Sequence, residues 1–154
     1  METDHVLRFP GTTAGFHDAV TQLRAILDVR QLAPRHRHDV EIVFDEVVTN
    51  IVNHGRPPGP VDATIRFAAE TTLVFEDDGA AFDLRAQPAP PPARRRSDLR
   101  IGGLGIVIVR ELCTRIDYLR TPEQRNRLTL CIPAASHDVD PTGEIPAARP
   151  RAGQ

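Results

Sequence analysis

The run His54-Gly55-Arg56-Pro57-Pro58-Gly59-Pro60 constrains this chain more than any other stretch. No helix passes through it, because proline lacks the backbone donor and clashes with the preceding turn, while Gly55 supplies a C-terminal stop. Before the run, Val40, Val43, Phe44, Val47, Val48 and Ile51 recur three and four residues apart, so 35–54 reads as an amphipathic helix with that face inward. After it the period becomes two. Val61, Ala63, Ile65 and Phe67 alternate with Asp62, Thr64 and Arg66 as in a half-buried strand. A second strand over 71–77 has Leu73 and Phe75 on one face, and the short link at Ala69-Glu70-Thr71 predicts an antiparallel hairpin.

The flanking segments complete the pattern. Val6-Leu7-Arg8-Phe9 is a short opening or edge strand stopped by Pro10-Gly11. Thr12 or Thr13 then caps a helix over 13–31, with Phe16, Val20, Leu23, Ile26 or Leu27 at helical spacing. Beyond Gly79 the chain is irregular until Gly102, with a proline-rich stretch at 87–93 and the basic run Arg94-Arg95-Arg96. So long a loop in a small domain reads as a mobile lid. Ile101-Gly102-Gly103-Leu104-Gly105 opens a third helix, with Ile106, Val109, Leu112 and Cys113 inward and Arg110, Glu111 and Arg115 mainly toward solvent. Strands over 116–119 and 128–132 follow, joined by a polar turn at 121–126. The expected fold is α+β: a two-layer sandwich of a mostly antiparallel sheet with helices on one face. One domain, 1–133, precedes a tail at 134–154 that is rich in proline, alanine and charge and is expected to be disordered.

Composition narrows the function classes. At 154 residues the chain supports one domain with a real core. No apolar run is long enough to span a bilayer, and Met1-Glu2-Thr3-Asp4-His5 is not the basic start of a secretory signal, so a cytoplasmic protein without membrane contact is expected. A net charge of −2 and one tyrosine without tryptophan argue against direct nucleic-acid binding. Cys113 and Cys131 lack metal-ligand spacing and read as core thiols.

Three motifs carry chemistry beyond packing. Glu46 and Asn50 stand one helical turn apart, and Asn53 with His54 extends the same polar stripe. A carboxylate beside a carboxamide can activate a hydroxyl and hold a hard cation. Asp78-Gly79 ends a strand, with Phe82-Asp83 nearby; a carboxylate accepts from an exocyclic amine, and glycine lets a flat base approach the backbone. Gly102-Gly103-Leu104-Gly105 sits at a helix N-terminus, where free N–H groups and the dipole favour phosphate.

In this order and spacing the motifs resemble the N, G1 and G2 boxes of the GHKL superfamily, the histidine-kinase-like ATPases with the Bergerat fold. Within it the chain is most similar to the RsbW-type anti-sigma-factor serine kinases. The resemblance rests on Glu46-Val47-Val48-Thr49-Asn50 with His54-Gly55, on Glu76-Asp77-Asp78-Gly79 with Phe82-Asp83, on Gly102-Gly103-Leu104-Gly105-Ile106 with Val109-Arg110, and on Asn126-Arg127-Leu128-Thr129-Leu130. It spans roughly residues 6–133. It implies ATP or ADP with Mg²⁺ as cofactors, with Glu46 as general base toward a serine hydroxyl and Asn50 as the Mg²⁺ ligand. It further implies that Asp78 accepts from the adenine amine above Gly79, that Thr129 adds a hydroxyl near the base, and that Gly103 and Gly105 wrap the phosphates. Asn53, His54, Phe82, Gly102 and Leu104 complete the implied nucleotide site.

As partners the resemblance implies a STAS-type anti-anti-sigma protein as substrate, a sigma factor, and a second copy in a homodimer. The box at Gly79-Ala80-Ala81-Phe82 lacks the second glycine of many superfamily members, and neither a phospho-acceptor histidine helix nor a transducer domain is expected. The alternative function is a nucleotide-gated binding module that sequesters a partner without phosphoryl transfer.

Overall fold

The computed structural model describes residues 3–88 and 104–134. The lid residues from 89, Arg94, Arg95, Arg96 and Arg100 among them, together with Gly102, Gly103 and the tail from 135, lie outside the described residues. The elements are β1 (His5–Pro10), α1 (Thr13–Val29), α2 (Pro34–Asn50), β2 (Pro60–Phe67), β3 (Glu70–Asp77), α3 (Leu104–Leu112), β4 (Arg115–Arg120) and β5 (Asn126–Pro133). The sheet runs β1-β2-β3-β5-β4, with every neighbouring pair antiparallel.

Periodicity explains the layers. α1 buries Ala19, Leu23 and Leu27, and α2 buries Val40, Val43, Phe44, Val47 and Val48. These meet Leu7, Phe9, Val61, Ala63, Ile65, Leu73, Phe75, Leu130 and Ile132 from the sheet in one apolar core, joined by Ile106 and Val109 of α3. Each fully buried Val, Leu, Ile or Phe side chain among them contributes about 1.5–3 kcal/mol. The helices therefore share one face of the sheet, and the result is the expected two-layer α+β sandwich. Among the described residues no helix is long and apolar enough to cross a membrane.

Of the two threonines offered as caps, Thr12 is the one that caps α1, its hydroxyl accepting from the Gly15 N–H at 3.1 Å, whereas the end of the second helix differs from the sequence reading. The second helix keeps α geometry only to Asn50, and Ile51–Gly55 form one π-helical turn closed by the Arg56 N–H on the Ile51 carbonyl at 2.9 Å. Arg56 then takes the left-handed conformation, at φ 45°, and the chain leaves the helix. Cys131 is buried, while Cys113 is only partly buried against the core.

Candidate functional site

The end of α2, its π turn and the segment after β3 enclose a pocket at one end of the sheet. Val47, Asn50, Ile51, Gly55, Asp77, Ala80, Phe82, Leu84, Tyr118, Asn126 and Leu128 line it. Most of these are apolar, and a few polar groups converge among them, the usual make-up of a small-molecule site.

Asp77 is the last residue of β3 and faces inward with Thr71, Leu73 and Phe75; it is 3% exposed. Its Oδ1 accepts from the Gly79 N–H at 2.8 Å and from the Asn126 amide at 2.9 Å. Asn126, opposite Asp77 in the β3–β5 register, is itself held from all sides. Its amide also donates to the Ala80 carbonyl at 3.0 Å, and its oxygen accepts from the Tyr118 hydroxyl at 2.7 Å and the Arg120 guanidinium at 2.8 Å. Arg120 reaches on to the Gly79 carbonyl at 2.7 Å. This network fixes the carboxylate and leaves its Oδ2 outside.

Gly79 is there for space. A Cβ at this position would stand 2.5 Å from the Gly55 carbonyl oxygen and 2.9 Å from Asp77 Oδ1, so only glycine lets the segment after β3 lie on the π turn. The Ala80 N–H donates to that same Gly55 carbonyl at 2.8 Å. The His54 and Phe82 rings stack at 5.3 Å, within 7° of parallel, and join the two segments at the pocket rim.

Asn50 is buried, and its amide nitrogen has no hydrogen-bond partner among the described residues. A buried polar group without a partner is costly, so this one fits a ligand atom better than a purely structural role. Half a turn of the amide presents its oxygen instead, as a cation requires. Glu46 lies one helical turn earlier, and its carboxylate rests against Gly105 of α3, where a Cβ would collide with it. The carboxylate, the carboxamide one helical turn on, and the start of α3 are thus brought together.

Three expected site residues lie elsewhere. Asp78 follows the strand and turns away from the pocket, its Oδ1 accepting from the Gly59 N–H at 3.0 Å. Thr129 belongs to the outer face of the sheet, paired with Val74 and Asp117, because Asn126, Leu128 and Leu130 take the inward positions of β5. Asn53 leaves the Glu46–Asn50 stripe, because the wider π turn carries it round the helix axis to a separate concavity with Thr13, Phe16, His17, Thr49 and Val52. The sequence reading missed Asp77 and Asn126. Strand alternation, counted from Phe75 and from Leu128, points to both. Arg110 was expected in solvent and is instead half-buried, bonded to three backbone carbonyls.

Comparison with known proteins gives this geometry a family. Residues 9–132 match the Histidine kinase-like ATPase domain. Over 117 residues the chain is 32% identical to the serine/threonine-protein kinase BtrW of Bordetella bronchiseptica, an alignment covering 73% of this chain and 82% of that protein. Its fold is similar to a chain of the SiaB-SiaC complex from Pseudomonas aeruginosa, with TM-score 0.61 at 17% identity, covering 83% of this chain and 88% of that one. It is also similar to the RsbU and RsbW domains of Rv1364c from Mycobacterium tuberculosis, with TM-score 0.57 at 15% identity, covering 85% of this chain and 32% of that one.

The chain belongs to the histidine kinase-like ATPase domain family. Within it, the chain is related to a serine/threonine-protein kinase and is a domain of the kinase or ATPase class.

Proposed function

We propose that this protein is an ATP-dependent protein-serine kinase and anti-sigma factor. It sequesters a sigma factor and phosphorylates a STAS-type anti-anti-sigma protein on serine, in the cytoplasm and as a homodimer. The observation that carries the reading is the meeting of Glu46, the unpartnered amide of Asn50 and Gly105 beside a pocket that holds a fixed, buried carboxylate.

Mg-ATP supplies the phosphoryl group when bound. Asp77, rather than Asp78, accepts from the exocyclic amine of adenine through Oδ2, since Oδ1 is committed to Gly79 and Asn126. Gly79 keeps the segment after β3 down on the π turn, which sets Phe82 and His54 at the rim beside the ring. Asn50 offers its amide oxygen to Mg²⁺. A single protein oxygen would suit Mg²⁺, an ion that retains several of its waters. Glu46 takes the proton of the incoming serine hydroxyl. The charge gained by that serine then weakens the partner's contact with the kinase.

The test is transfer from γ-labelled Mg-ATP into an extract of the source cells, with wild type and Glu46→Ala side by side. One small protein labelled on serine by wild type alone supports the kinase and identifies its substrate. No label while ATP remains tightly bound favours the nucleotide-gated binding module.

A further inference from the structure

Arg110 lies in α3, yet its guanidinium reaches back across the fold to the segment that follows β3. Nη2 donates to the carbonyls of Leu84 at 2.8 Å, Arg85 at 3.0 Å and Gln87 at 2.6 Å. A terminal guanidinium nitrogen carries two hydrogens, so the three acceptors share them, and the charge adds to each bond. The carbonyls belong to the single 3₁₀ turn Leu84–Ala86 and its exit. Asp83 already organises that turn. Its carboxylate caps the Arg85 N–H at 3.0 Å and pairs with the Arg85 guanidinium at 2.9 Å. Leu84, 1% exposed, and Phe82 are pocket wall. No other described side chain binds more than one of these three carbonyls.

We infer that Arg110 is a positioning residue: it clamps the Phe82-to-Gln87 wall of the pocket to α3 and so slows release of bound nucleotide. The inference rests on the nucleotide-binding reading only for its second half. Arg110 touches backbone, not ligand, and acts through the placement of Phe82 and Leu84. Arg85, next along the chain, serves as the contrast, since its guanidinium bonds Asp83 and, more weakly, the Tyr118 carbonyl at 3.5 Å.

Amide hydrogen exchange on the nucleotide-free full chain tests the clamp, and stopped-flow release of MgADP tests its consequence. Arg110→Ala is expected to accelerate exchange at residues 84–87 and to speed MgADP release about tenfold or more, as loss of charge-assisted hydrogen bonds implies. Arg85→Ala should change release far less, and millimolar methylguanidinium should restore slow release to Arg110→Ala but not alter wild type. Unchanged exchange at 84–87 in Arg110→Ala overturns the clamp. Faster exchange with wild-type release, or faster release that methylguanidinium does not restore, overturns the positioning role. Were wild type to bind no MgADP, the nucleotide reading would fail, while the exchange result would still decide the clamp.

Discussion

Two adjacent carboxylates at the end of β3 have opposite fates because a strand alternates. Asp77 falls on the parity of Leu73 and Phe75 and is buried, whereas Asp78 is one residue past the strand and bonds Gly59. Asp77→Asn keeps an oxygen for Gly79 and Asn126 but replaces the free acceptor by a donor, which meets the adenine amine donor to donor. Losing a charge-assisted hydrogen bond of about 1.5–3 kcal/mol predicts a fall in ADP affinity of roughly 10- to 100-fold, with thermal stability nearly kept. Asp78→Asn still accepts from Gly59 and should bind ADP nearly as wild type does. Calorimetric titration of both variants decides the matter, and a larger loss for Asp78→Asn would sink the assignment. The same parity separates Asn126 from Thr129. Both distinctions can be read from the sequence by counting alternation, but a dipeptide motif such as Asp-Gly draws the eye to the carboxylate outside the pocket. What the sequence does not contain is the network of Tyr118 and Arg120 on Asn126, since it depends on the register of β4 against β5, which sets Arg120 opposite Asn126.

At the scale of elements, the sequence pattern yields the helices, the hairpin and the strand pair nearly to their ends, because the change from period 3.6 to period 2 at the proline run is sharp. The π turn is not visible there. The apolar spacing through Ile51 suits both closures, and in the π turn that forms Gly55 packs against Gly79. That packing gives an element-level prediction. Gly79→Ala forces the segment after β3 off the π turn, an overpacking cost of about 1–3 kcal/mol. For a domain of this size it lowers Tm by roughly 4–12 °C. MgADP binding should fall with it, because the displaced segment carries Ala80 and Phe82 into the pocket. Calorimetric melting and titration check the pair of effects; a wild-type Tm with intact binding would show that the close approach is not needed. Gly105→Ala makes a separate case. Its methyl group displaces the Glu46 carboxylate, so phosphoryl transfer should be lost while MgADP binding, which relies on Asp77, largely survives.

Across the whole molecule, α2 links two ends with opposite responses to acid. At its start His36 is buried, its Nε2 2.8 Å from the Thr71 hydroxyl at the end of β3 remote from the pocket. Burial pushes the imidazole below its usual range, against the opposing pull of the Pro133 backbone and Asp39. The unfolded chain therefore takes up a proton near pH 6.5 that the folded chain refuses, and stability falls as pH drops from about 6.5 toward the depressed folded value. Asp45, near the far end of α2, behaves the other way. Its Oδ1 is buried with no hydrogen-bond partner among the described residues, and burial raises its carboxyl, with Arg24 opposing and Glu41 and Glu46 adding to the rise. Ionising it costs stability as pH climbs from about 3.8 through the raised folded value, and that cost persists at neutral pH. Asp45→Asn is thus expected to raise Tm at pH 7, with the gain vanishing as pH approaches 4. His36→Gln, which keeps a polar partner for Thr71, should flatten the decline in Tm between pH 6.5 and 5. Melting curves across pH for wild type and both variants separate the two windows. An unchanged slope in His36→Gln would mean that some other group drives the acid response, and a pH-independent effect of Asp45→Asn would mean that packing, not charge, accounts for it.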